Sequence, residues 1–311
     1  MAELIGYLLT LNAIITWAGA SLIYKWGLGI TQPKANLFFR LCCVSLGTFI
    51  FSLIFGNYVF LNNLNKDDLI GYLILCLISG LSVTTGDLLY YMSLKKIDSS
   101  RAYPIVQLSL VFVMFFSFFL FSEEITTTIL IGGFLILSSV FILSSKDKSE
   151  VINSNKDFKE KISEDLKIGV ILAIGTAFFW ALAIISFNRA RIISNDVFVT
   201  NFFRVFFALI FIGMLGIYQR DYYSGFKKEN RKNSKYFIYI GIAGILSLGL
   251  ADTLFYKAAE INGLILTSTL TVNTPMVQMI FSVLILKEKF RKRFLAAVVL
   301  IIIGNYIIIF L

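Results

Sequence analysis

The feature that most constrains the fold is an internal repeat, in which residues 251–289 follow the same pattern as residues 86–124. The two stretches align without a gap at an offset of 165 residues (252 minus 87), which places Asp87 on Asp252. Apolar residues coincide by chance in a hydrophobic chain, so the evidence for the repeat comes from the matched polar residues. A long self-match should be interpreted before any local pattern because it determines the architecture. The sequence therefore predicts two related halves.

The composition indicates a membrane protein. Of the 311 residues, 58% are hydrophobic and only 15% are charged, and the mean hydropathy is +0.82. Soluble domains carry about 25% charged residues, and long apolar stretches are typical of transmembrane helices. The chain has no His, and its three Cys lie in apolar runs, so we expect no metal, no cofactor and no disulfide framework. The net charge of +9 comes from residues between apolar segments, which favours a role at the membrane surface over nucleic-acid binding.

Ten segments are long and apolar enough to cross a membrane, since each crossing needs about 20 residues. These segments are residues 4–24, 35–55, 69–92, 101–121, 126–144, 167–188, 197–217, 236–256, 264–286 and 294–311. The predicted fold class is all-α integral membrane, with ten transmembrane helices as two inverted five-helix repeats. The first repeat covers residues 1–145, a charged linker covers 146–166, and the second repeat covers 167–311. Because five is odd, the second half enters the membrane from the opposite face, an arrangement typical of alternating-access transporters.

Repeated polar features give the chain a family likeness. The first helix of each half carries a central Trp (Trp17, Trp180), and the second carries an early Arg (Arg40, Arg204). The run LKKIDSSRAYPIVQLSLVF has a partner, AAEINGLILTSTLTVNTPMVQ, in the other half. With these features the sequence resembles the drug/metabolite transporter superfamily, specifically the EamA-type ten-helix transporters. The resemblance implies a multi-pass protein of the cell membrane that carries small organic solutes, such as amino acids or related metabolites, often coupled to protons.

Lys and Arg are unevenly distributed over the predicted connections. The connections after helices one, three, five, seven and nine hold 22 of the 28 Lys and Arg, and the other connections hold four. Since short cytoplasmic loops collect Lys and Arg, this asymmetry predicts that both termini face outward. The resembled family usually has both termini facing inward. The two indications disagree, and we follow the charge distribution.

Four ionisable residues lie inside the predicted spans, where charges are costly and often functional. Arg40 and Asp87 come at matched depths of about 8–9 Å on one side of the membrane, because the second and third helices are antiparallel. The same arithmetic pairs Arg204 with Asp252 on the other side. Each Asp is either a protonatable coupling residue or one member of a structural ion pair, and we favour the structural interpretation.

Polar and aromatic residues near the middle of the spans are the candidates for solute contact. They are Trp17, Tyr90, Tyr103, Gln107, Trp180, Tyr256, Asn273 and Gln278. Pro104 and Pro275 interrupt the fourth and ninth helices, and a matched pair of interrupted segments points to a binding site near the midplane. The alternative for any single Asn or Gln is a hydrogen bond that bridges two helices.

These observations favour a secondary transporter whose partners are a small-molecule solute and the lipid bilayer. A multidrug exporter, a nucleotide-sugar carrier and a lipid-linked-sugar carrier stay open, as does a non-transporting membrane scaffold or receptor. An enzyme is not expected, because the sequence offers no His, no paired carboxylates in mid-span and no phosphate-binding loop. The sequence leaves open whether the chain forms a homodimer.

Overall fold

The computed structural model describes residues 2–28, 33–97, 102, 105–122, 124–144, 156–226, 234–286 and 293–311. Over these residues the chain is helical, without a β-strand. We number the ten longer helices in chain order, and two of them consist of consecutive pieces. They are α1 (Ala2–Leu28), α2 (Pro33–Phe55), α3 (Lys66–Lys96), α4 (Ser109–Phe121), α5 (Thr127–Ser144), α6 (Lys156–Ser194), α7 (Val197–Tyr218), α8 (Ser234–Gly244, Ile245–Ala251 and Asp252–Asn262), α9 (Leu264–Thr271 and Thr274–Leu286) and α10 (Arg293–Phe310).

Seven of these helices are long and apolar enough to cross a membrane, namely α1, α2, α3, α6, α7, α8 and α9, while α4, α5 and α10 are shorter apolar helices. Large apolar side chains such as Phe134 and Ile217 are 71% and 75% exposed, as expected for a surface that faces lipid. The predicted all-helical membrane fold is therefore confirmed. The count of ten spans stays a prediction.

Side-chain caps mark the start of two helices. The Asn65 side chain accepts a hydrogen bond from the Asp68 backbone N–H at the start of α3, at 2.8 Å, and Asp196 does the same for Val199 in α7, also at 2.8 Å. Such caps satisfy backbone donors that the first helical turn leaves unpaired. Helix α6 begins at Lys156, so the described part of the predicted 146–166 linker is helical.

Turns interrupt the fourth and ninth predicted spans at equivalent positions. A turn at residues 107–108 precedes α4, and a turn at residues 272–273 divides α9. The bond from Leu108 N–H to Ile105 C=O (3.0 Å) has its counterpart 165 residues later, from Asn273 N–H to Leu270 C=O (3.1 Å). The α9 turn comes just before Pro275, whose missing N–H suits the first turn of a new helix. Pro104 lies outside the described residues.

The most extensive helix contacts join the first half (α1–α5) to the second half (α6–α10). Helix α3 packs on α6, and the equivalent pair α8 and α1 also packs together. Helix α2 packs on its own counterpart α7, and α5 on its counterpart α10. Small residues let α5 and α10 approach each other closely, since a Cβ added at Gly304 would lie 2.8 Å from the carbonyl oxygen of Gly132. The two halves are therefore interlocked, with matched pairs of contacts.

Candidate functional site

A cavity of about 200 Å³ lies between the two halves. Residues from both halves line it, among them Arg40 of α2 and Arg204 of α7, whose side chains are buried. The lining residues are Trp17, Ser21, Tyr24, Arg40, Val83, Asp87, Tyr90, Tyr91, Gln107, Ser109, Trp180, Ala183, Ile184, Arg204, Ser247, Leu248, Asp252, Phe255, Tyr256, Thr271 and Thr274.

Most lining residues come in equivalent pairs. At offsets of 163 to 165 residues, eight pairs have both members in the lining. They are Trp17 with Trp180, Ser21 with Ile184, Arg40 with Arg204, Val83 with Leu248, Asp87 with Asp252, Tyr90 with Phe255, Tyr91 with Tyr256 and Ser109 with Thr274. The cavity therefore lies where the two halves present the same sequence positions to each other.

The first charged cluster is built around Arg40, which is 3% exposed. Its guanidinium pairs with Asp87 and donates a hydrogen bond to the Tyr91 hydroxyl at 2.9 Å. It also lies 5.1 Å from the centroid of the Tyr24 ring, within the range of a cation–π interaction. A buried guanidinium needs such compensation because removing it from water is costly.

The second charged cluster repeats the first around Arg204, which is 1% exposed. This guanidinium pairs with Asp252 and lies 4.8 Å from the Phe187 ring and 5.8 Å from the Tyr256 ring. Phe187 occupies the position equivalent to Tyr24, at an offset of 163. The two clusters thus share an Arg–Asp pair flanked by two aromatic rings, and one ring, Tyr24, carries a hydroxyl that its counterpart Phe187 lacks.

Two tryptophans connect the clusters across the halves. The Trp17 indole N–H donates to Asp252 Oδ1 at 2.9 Å, and the Trp180 indole N–H donates to Asp87 Oδ1 at 3.0 Å. Each carboxylate therefore uses one oxygen for an Arg of its own half and the other for a Trp of the opposite half. Charge-assisted bonds of this kind are about twice as strong as neutral ones.

The aromatic residues beside the two Arg side chains adopt different arrangements. Phe187 and Tyr256 stack, with ring centroids 3.7 Å apart and planes inclined by 20°. The equivalent rings of Tyr24 and Tyr91 meet edge to face, at 6.4 Å and 61°. The Tyr24 hydroxyl instead hydrogen-bonds with the Ser247 hydroxyl, at 2.5 Å. The two aromatic pairs are equivalent in sequence and unequal in packing.

The structure places the sequence candidates in three groups. Trp17, Tyr90, Gln107, Trp180 and Tyr256 line the cavity, together with the four charged residues. Asn273 and Gln278 are not among the described residues that line it. Tyr103 lies outside the described residues.

Asn273 differs from expectation because its amide faces α10. It donates to the carbonyl of Leu270 at 2.8 Å and to Asn305 Oδ1 at 2.9 Å, and Asn305 donates back at 3.1 Å. This reciprocal pair bridges two helices, which is the alternative that the sequence had left open for a polar residue in a span.

Sequence reasoning missed several lining residues, and the repeat could have identified some of them. Tyr91 is the counterpart of Tyr256, and Phe255 is the counterpart of Tyr90. Tyr24 lies seven residues after Trp17 and therefore shares its helix face. Ser247 lies in the π-helical segment Ile245–Ala251, for which we find no sequence signal.

The lining of the site combines compensated charges with aromatic, aliphatic and small polar side chains. Among the described residues no group of three or more His, Cys, Asp or Glu could hold a metal ion. The charged groups of the lining compensate one another, and seven of the remaining 17 lining residues are aromatic. A helical membrane protein with a partly polar cavity between two interlocked halves has the architecture that is found in many secondary transporters.

Comparison with known proteins identifies the family. The EamA-like transporter family matches residues 4–145 and 167–310, and the chain belongs to this family. An uncharacterized transporter of Archaeoglobus fulgidus is 25% identical over 306 residues, covering 96% of this chain and 95% of that protein. An uncharacterized transporter of Clostridium kluyveri is 27% identical over 242 residues, covering 76% of this chain and 71% of its own length.

Two further similarities are consistent with this assignment. The uncharacterized inner membrane transporter YhbE of Escherichia coli K12 is 24% identical over 176 residues, covering 57% of this chain and 51% of that protein. A crystal structure matches with a TM-score of 0.71 at 16% identity, covering 98% of this chain and 95% of the other. At that identity the likeness shows the fold alone. The chain is a multi-pass membrane transporter of the EamA-like family.

Proposed function

We propose that this chain is a secondary transporter that moves a small organic metabolite across the cell membrane by alternating access. In this proposal residues 1–145 and 167–311 form two inverted five-helix halves that exchange roles between states. The cavity carries the proposal, because its lining comes from equivalent positions of both halves. A solute in such a cavity meets nearly the same groups whichever half faces it, as a two-state carrier requires.

The unequal packing of the two equivalent aromatic pairs supports a mechanism with two states. The Phe187–Tyr256 pair is stacked at 3.7 Å, while the equivalent Tyr24–Tyr91 pair stands at 6.4 Å. Exchange of the halves would give each pair the arrangement that the other has now. A scaffold or receptor would have no use for two such exchangeable arrangements.

The size of the cavity favours a small solute. Its volume of about 200 Å³ is below the roughly 300–1,000 Å³ typical of sites for drug-sized ligands. A nucleotide sugar or a lipid-linked sugar is much larger than this space. An amino-acid-like metabolite is of suitable size.

Cysteine accessibility tests the proposal without knowledge of the solute. In a background with Cys42, Cys43 and Cys76 changed to Ser, single Tyr24→Cys and Phe187→Cys variants are reconstituted in vesicles. A membrane-impermeant thiol reagent should label the first variant from one side only, because Tyr24 lines the described cavity. Phe187 is buried and does not line the described cavity, so the second variant should be labelled only when the halves exchange roles, and then from the opposite side only. Ser139→Cys is the control, because Ser139 is buried in α5, which contributes no described residue to the lining, and it should stay unlabelled from either side in both states.

Two results would contradict the proposal. Labelling of both variants from the same side would exclude inverted halves with a gate at each end. Failure of the vesicles to take up any member of a radiolabelled mixture of amino acids and their uncharged derivatives, amides included, would contradict transport of that solute class.

A further inference from the structure

The charges that line the cavity are fully compensated within the protein. Arg40 pairs with Asp87 and Arg204 pairs with Asp252, so the four ionised side chains of the described lining sum to zero. The second oxygen of each carboxylate accepts an indole N–H at 2.9 or 3.0 Å. The described lining therefore holds no carboxylate and no guanidinium that lacks an oppositely charged partner.

This compensation disfavours a charged solute. An anion gains a counterion only by displacing an Asp from its Arg, and a cation only by displacing an Arg from its Asp. Either exchange leaves one buried charge unpaired, which corresponds to a loss of about 10²–10³-fold in affinity. A zwitterion meets the same obstacle at both of its charges. An uncharged solute leaves the pairs intact.

The aromatic walls favour a flat solute. Tyr90 and Trp180 form one corner, with ring centroids 5.4 Å apart at 51°, and Trp17 with Phe255 forms the equivalent corner, at 5.6 Å and 51°. Both corners line the cavity. Offset or edge-to-face contact with such rings stabilises a planar ring more than an aliphatic chain of similar size.

One amide breaks the symmetry of the lining. Gln107 lies at the turn before α4, and the equivalent residue of the second half is Val272. Among the described residues, the Gln107 side chain has no hydrogen-bond partner, and it lines the cavity. A side-chain amide offers a donor and an acceptor side by side. Another amide is complementary to it, because that amide can accept a hydrogen bond from the Gln107 N–H and donate one to the Gln107 side-chain oxygen.

We propose that the site selects a small, uncharged solute with a planar ring and a carboxamide or lactam edge, and that Gln107 recognises this edge. The inference rests on the proposed transport function and narrows its solutes to uncharged, amide-bearing relatives of the amino acids, since free amino acids are zwitterions. Net neutrality follows from the paired charges, the planar ring from the two aromatic corners, and the amide edge from Gln107.

Three compounds that share one ring test the class. They are 2-phenylacetamide, phenylacetate and 2-phenylethylamine, which differ mainly in charge. The purified protein should be thermally stabilised by the amide at concentrations at least tenfold lower than by either charged compound, because a ligand that binds the native state raises its stability according to its affinity. The Gln107→Leu variant should lose about tenfold in affinity for the amide, the loss expected for a pair of hydrogen bonds.

Two further variants sharpen the test. Gln107→Glu adds an uncompensated carboxylate and should shift the preference from the amide to the amine. Gln278→Leu is the matched control, because this amide is half-buried and is not among the described residues that line the cavity. It should leave the order of the three compounds unchanged.

The proposal is overturned if either charged compound stabilises the wild-type protein as well as the amide does. It is also overturned if none of the three stabilises it, or if Gln107→Leu leaves the order unchanged. Uptake of radiolabelled 2-phenylacetamide into vesicles is measured separately. Stabilisation without uptake would contradict transport and leave the solute class standing, whereas uptake of charged compounds alone would do the reverse.

Discussion

The buried ion pair of the second half allows a quantitative test of what holds the site together. Arg204 is 1% exposed, and its charge is compensated by Asp252. Asp252→Asn keeps an oxygen acceptor for the Trp17 indole and removes only the negative charge. Breaking a buried pair in this way costs about 3–5 kcal/mol, because the remaining charge is left uncompensated. We expect this loss in the free energy of unfolding, measured by denaturant titration in mixed micelles.

The double variant decides between the two interpretations of the pair. Arg204→Gln combined with Asp252→Asn removes both charges, so it should be more stable than Asp252→Asn alone, and the two changes should be strongly non-additive. The half-exposed pair of Lys96 and Asp165, with its N–O distance of 2.6 Å, provides the control. A pair of that kind contributes about 0–1 kcal/mol, so its cycle should be close to additive.

The same variants report on coupling. If the pair is structural, the double variant should still accumulate solute against a gradient. If Asp252 carries the coupling proton, the double variant should be stable, should equilibrate solute and should fail to concentrate it. An additive cycle for Arg204 and Asp252, matching that of the half-exposed pair, would refute the idea that the charges stabilise each other.

Three further predictions concern packing, gating and orientation. Tyr24→Phe removes the 2.5 Å hydrogen bond to Ser247 and should change the ratio of the two cavity states about 2- to 10-fold, measured as the rate of thiol labelling of Phe187→Cys in the background without the native Cys; an unchanged rate would exclude this bond as a determinant. Gly304→Ala places a Cβ 2.8 Å from the Gly132 carbonyl oxygen and should lower the free energy of unfolding by about 1–3 kcal/mol. Gly71→Ala, which meets nothing within 4 Å, should be neutral or stabilising by up to about 1 kcal/mol. A fluorescent protein fused to the C-terminus should stay dark if that terminus faces outward, and bright cytoplasmic fluorescence would contradict the charge distribution.

Features that depend on composition or on the repeat could be predicted from the sequence. The family and the helical membrane fold are confirmed, since long apolar segments have few alternatives to a helix in lipid. The sequence also paired Arg40 with Asp87, and the structure places these two side chains together. That inference was accessible because an unpaired charge inside a span is costly wherever its partner lies.

Features that depend on distant contacts could not be predicted. The bond from Trp17 to Asp252 joins residues 235 positions apart, and no local pattern indicates it. Asn273 looked like a solute contact, yet its partner Asn305 has an apolar counterpart, Val140, in the first half. The repeat therefore gave no sign of this amide pair. The π-helical turn around Ser247 likewise interrupts a sequence whose counterpart in α3 is an ordinary α-helix.

The crossed tryptophan bonds have a consequence for the order in which the chain is made. The Arg40–Asp87 pair joins residues of the first half and can form as soon as α3 enters the bilayer. The indole N–H that donates to Asp87 Oδ1 belongs to Trp180, in a helix synthesised later. Trp17, the earliest of these groups, must wait longest, since its acceptor Asp252 lies in α8. During biosynthesis the first half therefore inserts with Asp87 lacking its indole donor and Trp17 lacking its acceptor, and both are satisfied only after most of the chain has left the ribosome.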